Sequence, residues 1–138
     1  MGSLLLNLPT NSKIRNKPGP NIDVLHSLEC KACPLNKAKV CTPKMKPSGD
    51  KPADIYILGE MPSYLDDQKG RHFGDEVGRL LKKRLRYGFE YRYNNVVRTM
   101  TPNARPPQFV EIECCRPSII RDIEKCKPKV ILGFGNVA

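Results

Sequence analysis

The sequence predicts an α/β fold, a three-layer sandwich with a short central parallel sheet. Three observations point to it. Compact apolar runs at 54–58 and 129–132 each close on a glycine, as strands buried on both faces of a parallel sheet do. Stretches with helical spacing separate the strand-like runs. The order is strand, helix, strand, helix, strand, which calls for parallel pairing through crossovers. The chain has 138 residues. At that size folding buries roughly two-thirds of the unfolded surface, enough for one core without disulfides.

Residues 1–20, with Asn7, Pro9, Asn11, Pro18, Gly19 and Pro20, read as an irregular leader, and the α/β domain occupies 21–138. A short helix starts from Asn21 or Asp23 and places Val24, Leu25 and Leu28 on one face. Residues 34–53 hold four prolines and five lysines, so they form a basic loop. Asp54-Ile55-Tyr56-Ile57-Leu58-Gly59 is the first strand, and Glu60 to Gly74 is a polar loop. From Asp75 to Tyr87, Val77, Leu80, Leu81 and Leu85 fall at helical spacing. Acidic residues sit in the first turn and basic ones in the last, as the helix dipole favours, and Gly88 can end the helix. Tyr93 to Val97 is the second strand, and Pro102 to Pro107 a loop. Residues 108–126 are helical, with a break or a new first turn near Pro117. Lys129 to Gly133 is the third strand. The sequence then stops where another helix should begin, so the domain reads as incomplete at its C-terminus.

The net charge of +10 is unevenly spread. Residues 1–52 carry nine basic and three acidic groups, residues 53–90 seven of each, and residues 91–138 eight and four. The segments therefore stand at +6, 0 and +4. A basic domain of this kind suits a polyanionic partner, with nucleic acid first; solubility alone is the plainer explanation. No apolar run approaches the roughly 20 residues of a membrane span, and no secretory signal is recognisable.

Six cysteines, Cys30, Cys33, Cys41, Cys114, Cys115 and Cys126, exceed what packing asks for. Without a secretory signal the compartment reads as reducing, which disfavours a disulfide framework. Cys30 and Cys33 form a C-x2-C pair before a proline-rich loop, where a redox motif would not sit. A pair plus distant single thiolates suits a four-cysteine iron–sulfur cluster or a zinc ion. Free, partly buried thiols are the plainer reading.

Nine pieces in order carry a resemblance. They are Cys30-x-x-Cys33-Pro34-Leu35, the strand Asp54–Leu58, Gly59-Glu60-Met61-Pro62, and Asp66-Asp67-Gln68-Lys69-Gly70-Arg71-His72-Phe73-Gly74. Then come Val77-Gly78-Arg79-Leu80-Leu81, Asn95-Val96-Val97-Arg98, Pro102-Asn103-Ala104-Arg105-Pro106-Pro107, Glu111-Ile112-Glu113-Cys114-Cys115-Arg116-Pro117, and Lys127-Pro128-Lys129-Val130-Ile131-Leu132-Gly133. From about Cys30 to Ala138 the chain resembles the uracil-DNA glycosylase superfamily, most of all its iron–sulfur branch, family 4. It also resembles the glycosylase-like N-terminal domain of some phage DNA polymerases.

The resemblance implies DNA, single-stranded or uracil-containing, as partner. It implies a cytoplasmic setting in a bacterial or phage-infected cell, with a polymerase or a separate C-terminal half as a further partner. It implies that Glu60 is the acid group and that Asn95 reads the uracil edge. Phe73 stacks on the flipped base, and Gly59, Met61 and Pro62 wall the pocket. An Asn amide offers an acceptor and two donors, which suits uracil's N3–H and O4. A 4Fe-4S cluster, with zinc as the alternative, is implied on Cys30, Cys33, position 99 and Cys115. Because position 99 is Thr99, Cys41 from the adjacent long loop is expected to substitute, giving Cys30, Cys33, Cys41 and Cys115. Cys126 reads as packing.

The chain departs from the family elsewhere too. Met61 stands where a small residue is usual, Ser63 where glycine is frequent, and His72 where proline is common. His72 reads as a solvated loop residue without an orienting partner. The family's later His-Pro-Ser-like motif has no counterpart in these residues. Two functions follow from the resemblance: removal of uracil by N-glycosidic hydrolysis, or DNA binding by a non-hydrolytic, polymerase-linked or replication-associated iron–sulfur module.

Overall fold

The computed structural model describes Gly19 and residues 21–138, so the rest of the expected leader lies outside the described residues. A four-stranded sheet forms the centre. Its strands are β1 (Ser48–Gly49), β2 (Ile55–Gly59), β3 (Tyr91–Asn95) and β4 (Val130–Gly133). Their order across the sheet is β1-β3-β2-β4. The three long strands run parallel, with Ile57 opposite Tyr93 on one side and Leu132 on the other. β1 is a two-residue antiparallel edge. The sheet is therefore mixed, not all-parallel.

Among the described residues four α-helices accompany the strands: α1 (Ile22–Leu28), α2 (Tyr64–Lys69), α3 (Glu76–Arg84) and α4 (Phe109–Cys126). Each start has a chemical reason. The Asn21 side chain accepts from the amides of Asp23 and Val24, and Asp75 from that of Gly78. Ser63 and Asp66 cap α2 reciprocally, and at the start of α4 the Gln108 backbone amide donates to Glu111 Oε2 at 2.8 Å. α2 lies within the stretch expected to be a polar loop. α3 ends at Arg84, short of Tyr87. β3 lies two residues earlier than its apolar pair Val96-Val97 suggests. That pair instead leaves the ladder and packs with Leu35 and Cys115. α4 runs unbroken through Pro117, although the proline leaves the Glu113 carbonyl without its helical donor. Buried residues on both sides of it, from Cys114 to Ile119 and Cys126, keep the helix seated on the core.

Side chains alternate between the two faces of the sheet. Tyr56, Arg92 and Asn94 face α4. The Tyr56 hydroxyl donates to Asp122 (2.7 Å) and accepts from Asn94 (2.9 Å), and Arg92 donates twice to the same carboxylate. Cys126 is buried against Tyr56 and Ala53. α1 packs on α4, joined by His26 and Glu113. On the opposite face Tyr93 meets Phe73 at 6.0 Å between ring centroids, and Lys82 of α3 lies over the Tyr93 ring. Helices thus flank both faces of the central strands. Val130 and Ile131 of β4 remain about half exposed. No helix among the described residues is long and apolar enough to cross a membrane.

Candidate functional site

The carboxyl ends of β2 and β3 open into a cleft of about 310 Å³, the usual place for a ligand in a parallel α/β sheet. Gly59, Glu60, Met61, Phe73 and Asn95 all line it. Register explains the meeting of two of them: Gly59 pairs with Asn95 across the ladder. A β-carbon on Gly59 would lie 2.4 Å from Asn95 Oδ1 and 3.0 Å from Phe73 Cζ. Only glycine permits so close an approach.

Phe73 arrives from the loop between α2 and α3 with φ at 52°, a left-handed conformation that costs a bulky residue roughly 1–3 kcal/mol. Neighbouring contacts hold it there. The Gly74 amide donates to Asp66 Oδ1 at 2.7 Å. Gly78, where a β-carbon would collide with the Phe73 carbonyl, lets α3 close on the loop from the other side.

Glu60 directs Oε1 to the backbone amides of Asn136 and Val137, beyond β4, so this carboxylate ties the cleft to the loop after the last strand. Met61 lines the cleft but turns its sulfur to the Thr101 hydroxyl (3.0 Å) and packs beside Val96 and Val97. Pro62, expected as a wall residue, is fully buried and does not line the cleft.

His72 is not the solvated loop residue its sequence context suggests. It is 2% exposed. Its Nε2 lies 2.9 Å from the Lys46 carbonyl and its Nδ1 3.1 Å from Asn95 Nδ2. Burial pulls the imidazole below its ordinary range; the Lys46 carbonyl and Asp66 oppose that, and Lys82 and Arg98 reinforce it. Sequence reasoning also passed over Asp66, which accepts from Ser63 and Gly74 and lines the cleft. The Ser63-x-x-Asp66 capping pattern was the available signal. For His72 there was none, because its partner lies 26 residues away.

A second, small cavity of about 20 Å³ lies where the turns after α1 meet α4. Cys30, Cys33, Cys115 and Thr99 line it, together with Arg98 and Lys44. Thr99 Oγ1 accepts from the Lys44 amide at 2.9 Å. Burial pushes the Cys33 thiol up and the Cys115 thiol up to about 11, with a hydrogen bond from the Arg98 backbone and, more weakly, the Arg98 charge acting against burial at Cys115. Cys114 contacts Cys33 from the helix, and burial carries its thiol likewise to about 11. The expected fourth ligand, Cys41, is not at this cavity. It is exposed, its amide donates to Asp67, and its sulfur accepts from Gln68. Among the described residues no three Cys, His or acidic groups stand around a single point as ligands of one ion. By donor chemistry alone, the three thiols that line this cavity, with the Arg98 guanidinium beside them, are of the kind that hold an anionic iron–sulfur cluster.

Fold and cleft together define a parallel α/β domain with an aromatic, an amide and a carboxylate at the ligand-binding ends of its strands. Residues 47–138 match the model of the uracil DNA glycosylase superfamily, and the chain belongs to that superfamily. It is similar to the type-4 uracil-DNA glycosylase of Pyrobaculum aerophilum, 32% identical over 125 residues, which cover 86% of this chain and 62% of that protein. The type-4 enzymes of Sulfurisphaera tokodaii and Archaeoglobus fulgidus are 33% and 32% identical, covering 78% and 80% of this chain and 50% and 57% of theirs. The chain thus spans between half and about three-fifths of the length of these relatives.

Proposed function

We propose that this chain acts on uracil in DNA, removing the base by hydrolysis of its N-glycosidic bond. The observation that carries the reading is the meeting of Gly59, Phe73 and Asn95 in one cleft at the strand ends. A base swung out of the stack would lie on the Phe73 ring, with its Watson–Crick edge toward Asn95. Water adds to C1′ of the sugar as the C1′–N1 bond breaks. The bonding electron pair leaves with the uracil ring, and the water proton passes to solvent or base. Glu60, at the cleft, would stabilise positive charge developing on the sugar and orient the water. The basic loop containing Lys44 and Lys46 would hold phosphates.

Cys30, Cys33 and Cys115 are the proposed cluster ligands, on the donor chemistry of the cavity and the resemblance to the iron–sulfur branch. When bound, such a cluster would brace the turns after α1 against α4 without transferring electrons. Zinc is the alternative occupant of the same thiolates.

One observation favours the non-hydrolytic reading, a DNA-binding or replication-associated module. Glu60 Oε1 is already committed to Asn136 and Val137. Release of uracil from a single-stranded oligonucleotide, measured for the iron-loaded protein beside Asn95→Ala and Glu60→Gln, separates the two. Hydrolysis requires release that both substitutions abolish or slow by at least about 100-fold. No release with salt-sensitive binding retained would leave the binding module.

A further inference from the structure

We propose that His72 is a positioning residue that fixes the side-chain amide of Asn95 in one orientation and thereby selects uracil over cytosine. The inference rests on the reading of Asn95 as the residue that contacts the base.

The argument starts at Lys46. Its backbone carbonyl can only accept, so the His72 Nε2, 2.9 Å away, carries a proton and donates it. In the neutral ring Nδ1 is then a bare acceptor. The atom facing it at 3.1 Å must be a donor, which is the Asn95 NH2. The Asn95 amide is thereby fixed, with Oδ1 turned to the other side, beside Gly59. Asn95 is 3% exposed, and its Oδ1 takes no hydrogen from any described residue. What the amide offers the cleft is therefore an acceptor and its second N–H.

Uracil presents N3–H as donor beside the O4 acceptor, and this orientation matches it. Cytosine presents N3 as acceptor beside an N4 donor. For a base held in place by the Phe73 ring, matching cytosine needs the amide reversed. Reversal would set Oδ1 against His72 Nδ1, two acceptors facing each other. His72 thus acts on the base without touching it. The charged groups around it are Asp66 from α2, Lys82 from α3, whose Nζ donates to the His72 carbonyl, and Arg98 beyond β3. A proton added to Nδ1 would turn acceptor into donor and favour the reversed amide, with Oδ1 facing the ring.

The test uses nuclear magnetic resonance on 15N-labelled full chain. Two-bond spectra report the His72 tautomer, the Asn95 amide resonances report its partner, and free uracil and cytosine are titrated in. Wild type should show the Nε2–H tautomer and prefer uracil by about tenfold or more. His72→Phe removes the acceptor and should erase that preference. His72→Gln keeps an acceptor and should restore most of it. On acidification the Asn95 amide resonances should shift together with the His72 ring nitrogens. A wild-type Nδ1–H tautomer, or Asn95 resonances indifferent to His72 protonation, would overturn the inference even if His72→Phe fails to fold. So would an unchanged base preference in a folded His72→Phe, or a preference lost in a folded His72→Gln. An Asn95→Ala variant that binds uracil as wild type does, or a wild type without base preference, would instead sink the underlying reading of Asn95.

Discussion

Adding one methyl group at Gly59 tests the geometry of the cleft most directly. In Gly59→Ala the new carbon starts 2.4 Å from Asn95 Oδ1, where ordinary contact begins at 3.4 Å. About 1 Å of movement is needed. Asn95 cannot easily supply it, because its NH2 is held by His72 and its backbone amide by the Asn94 side chain. Phe73 cannot either, since its Cζ would be 3.0 Å away and its backbone is clasped by Gly74 and Gly78. Overpacking of this kind costs about 1–3 kcal/mol. For a domain of this size that lowers the melting temperature by roughly 3–12 °C. Displacing a substrate-positioning group by about 1 Å costs on the order of 100-fold in rate. A thermal melt and a uracil-release assay on the same preparation read both effects. A variant that melts within a degree of wild type and releases uracil at the wild-type rate would refute the close approach of Gly59, Asn95 and Phe73.

Three further outcomes are expected. Tyr56→Phe leaves Asn94 and Asp122 each short of a partner and should cost about 1–3 kcal/mol in a denaturant melt. The native protein's uracil-release rate should be unchanged, because Tyr56 lies on the α4 face. Iron per protein and visible absorbance after reconstitution should fall in Cys30→Ser, Cys33→Ser and Cys115→Ser but not in Cys41→Ser, whereas Thr99→Cys should slow iron loss to chelator. Burial acts to raise Glu111, but hydrogen bonds from Arg105 and the Gln108 amide outweigh it and hold the carboxyl below its ordinary value. Its contribution is therefore fully present above the unfolded carboxylate pKa and is lost as pH falls through the folded one. Urea midpoints measured between roughly pH 5 and pH 3 should decline less steeply in Glu111→Gln.

The parallel strands and α3 were legible from periodicity, at Ile55 to Gly59, Val77 to Leu81 and Val130 to Gly133, although Val77, Leu80 and the β4 side chains stay exposed. Three features escaped for physical reasons. α2 has only Tyr64 and Leu65 as large apolar residues and exposes both, so its only local mark was the capping pattern. In β3 the alternating Tyr91 and Tyr93 define the ladder, while the β-branched Val96 and Val97, which drew the strand two residues late, serve a different cluster. Cys41 was a reasonable fourth ligand by loop length, but the chain after Cys33 carries it to Asp67 instead of back toward the cavity. Gly59, Phe73 and Asn95 were reachable as candidates through family pattern. The residue that orients Asn95 was not, because burial of a lone histidine depends on contacts no local spacing encodes.

Asp66 and Asp67, adjacent on a six-residue helix, reach in different directions. Asp66 grips the cleft wall at Gly74, and Asp67 grips the basic loop at Cys41 and Thr42. A few residues on, Lys46 of that loop meets His72. The loop and the cleft wall are thus riveted at two points into a single stiff lever. Under the proposed function, phosphates pulling on Lys44 or Lys46 would load the same lever that carries Phe73, so strand capture and base alignment would be one mechanical event.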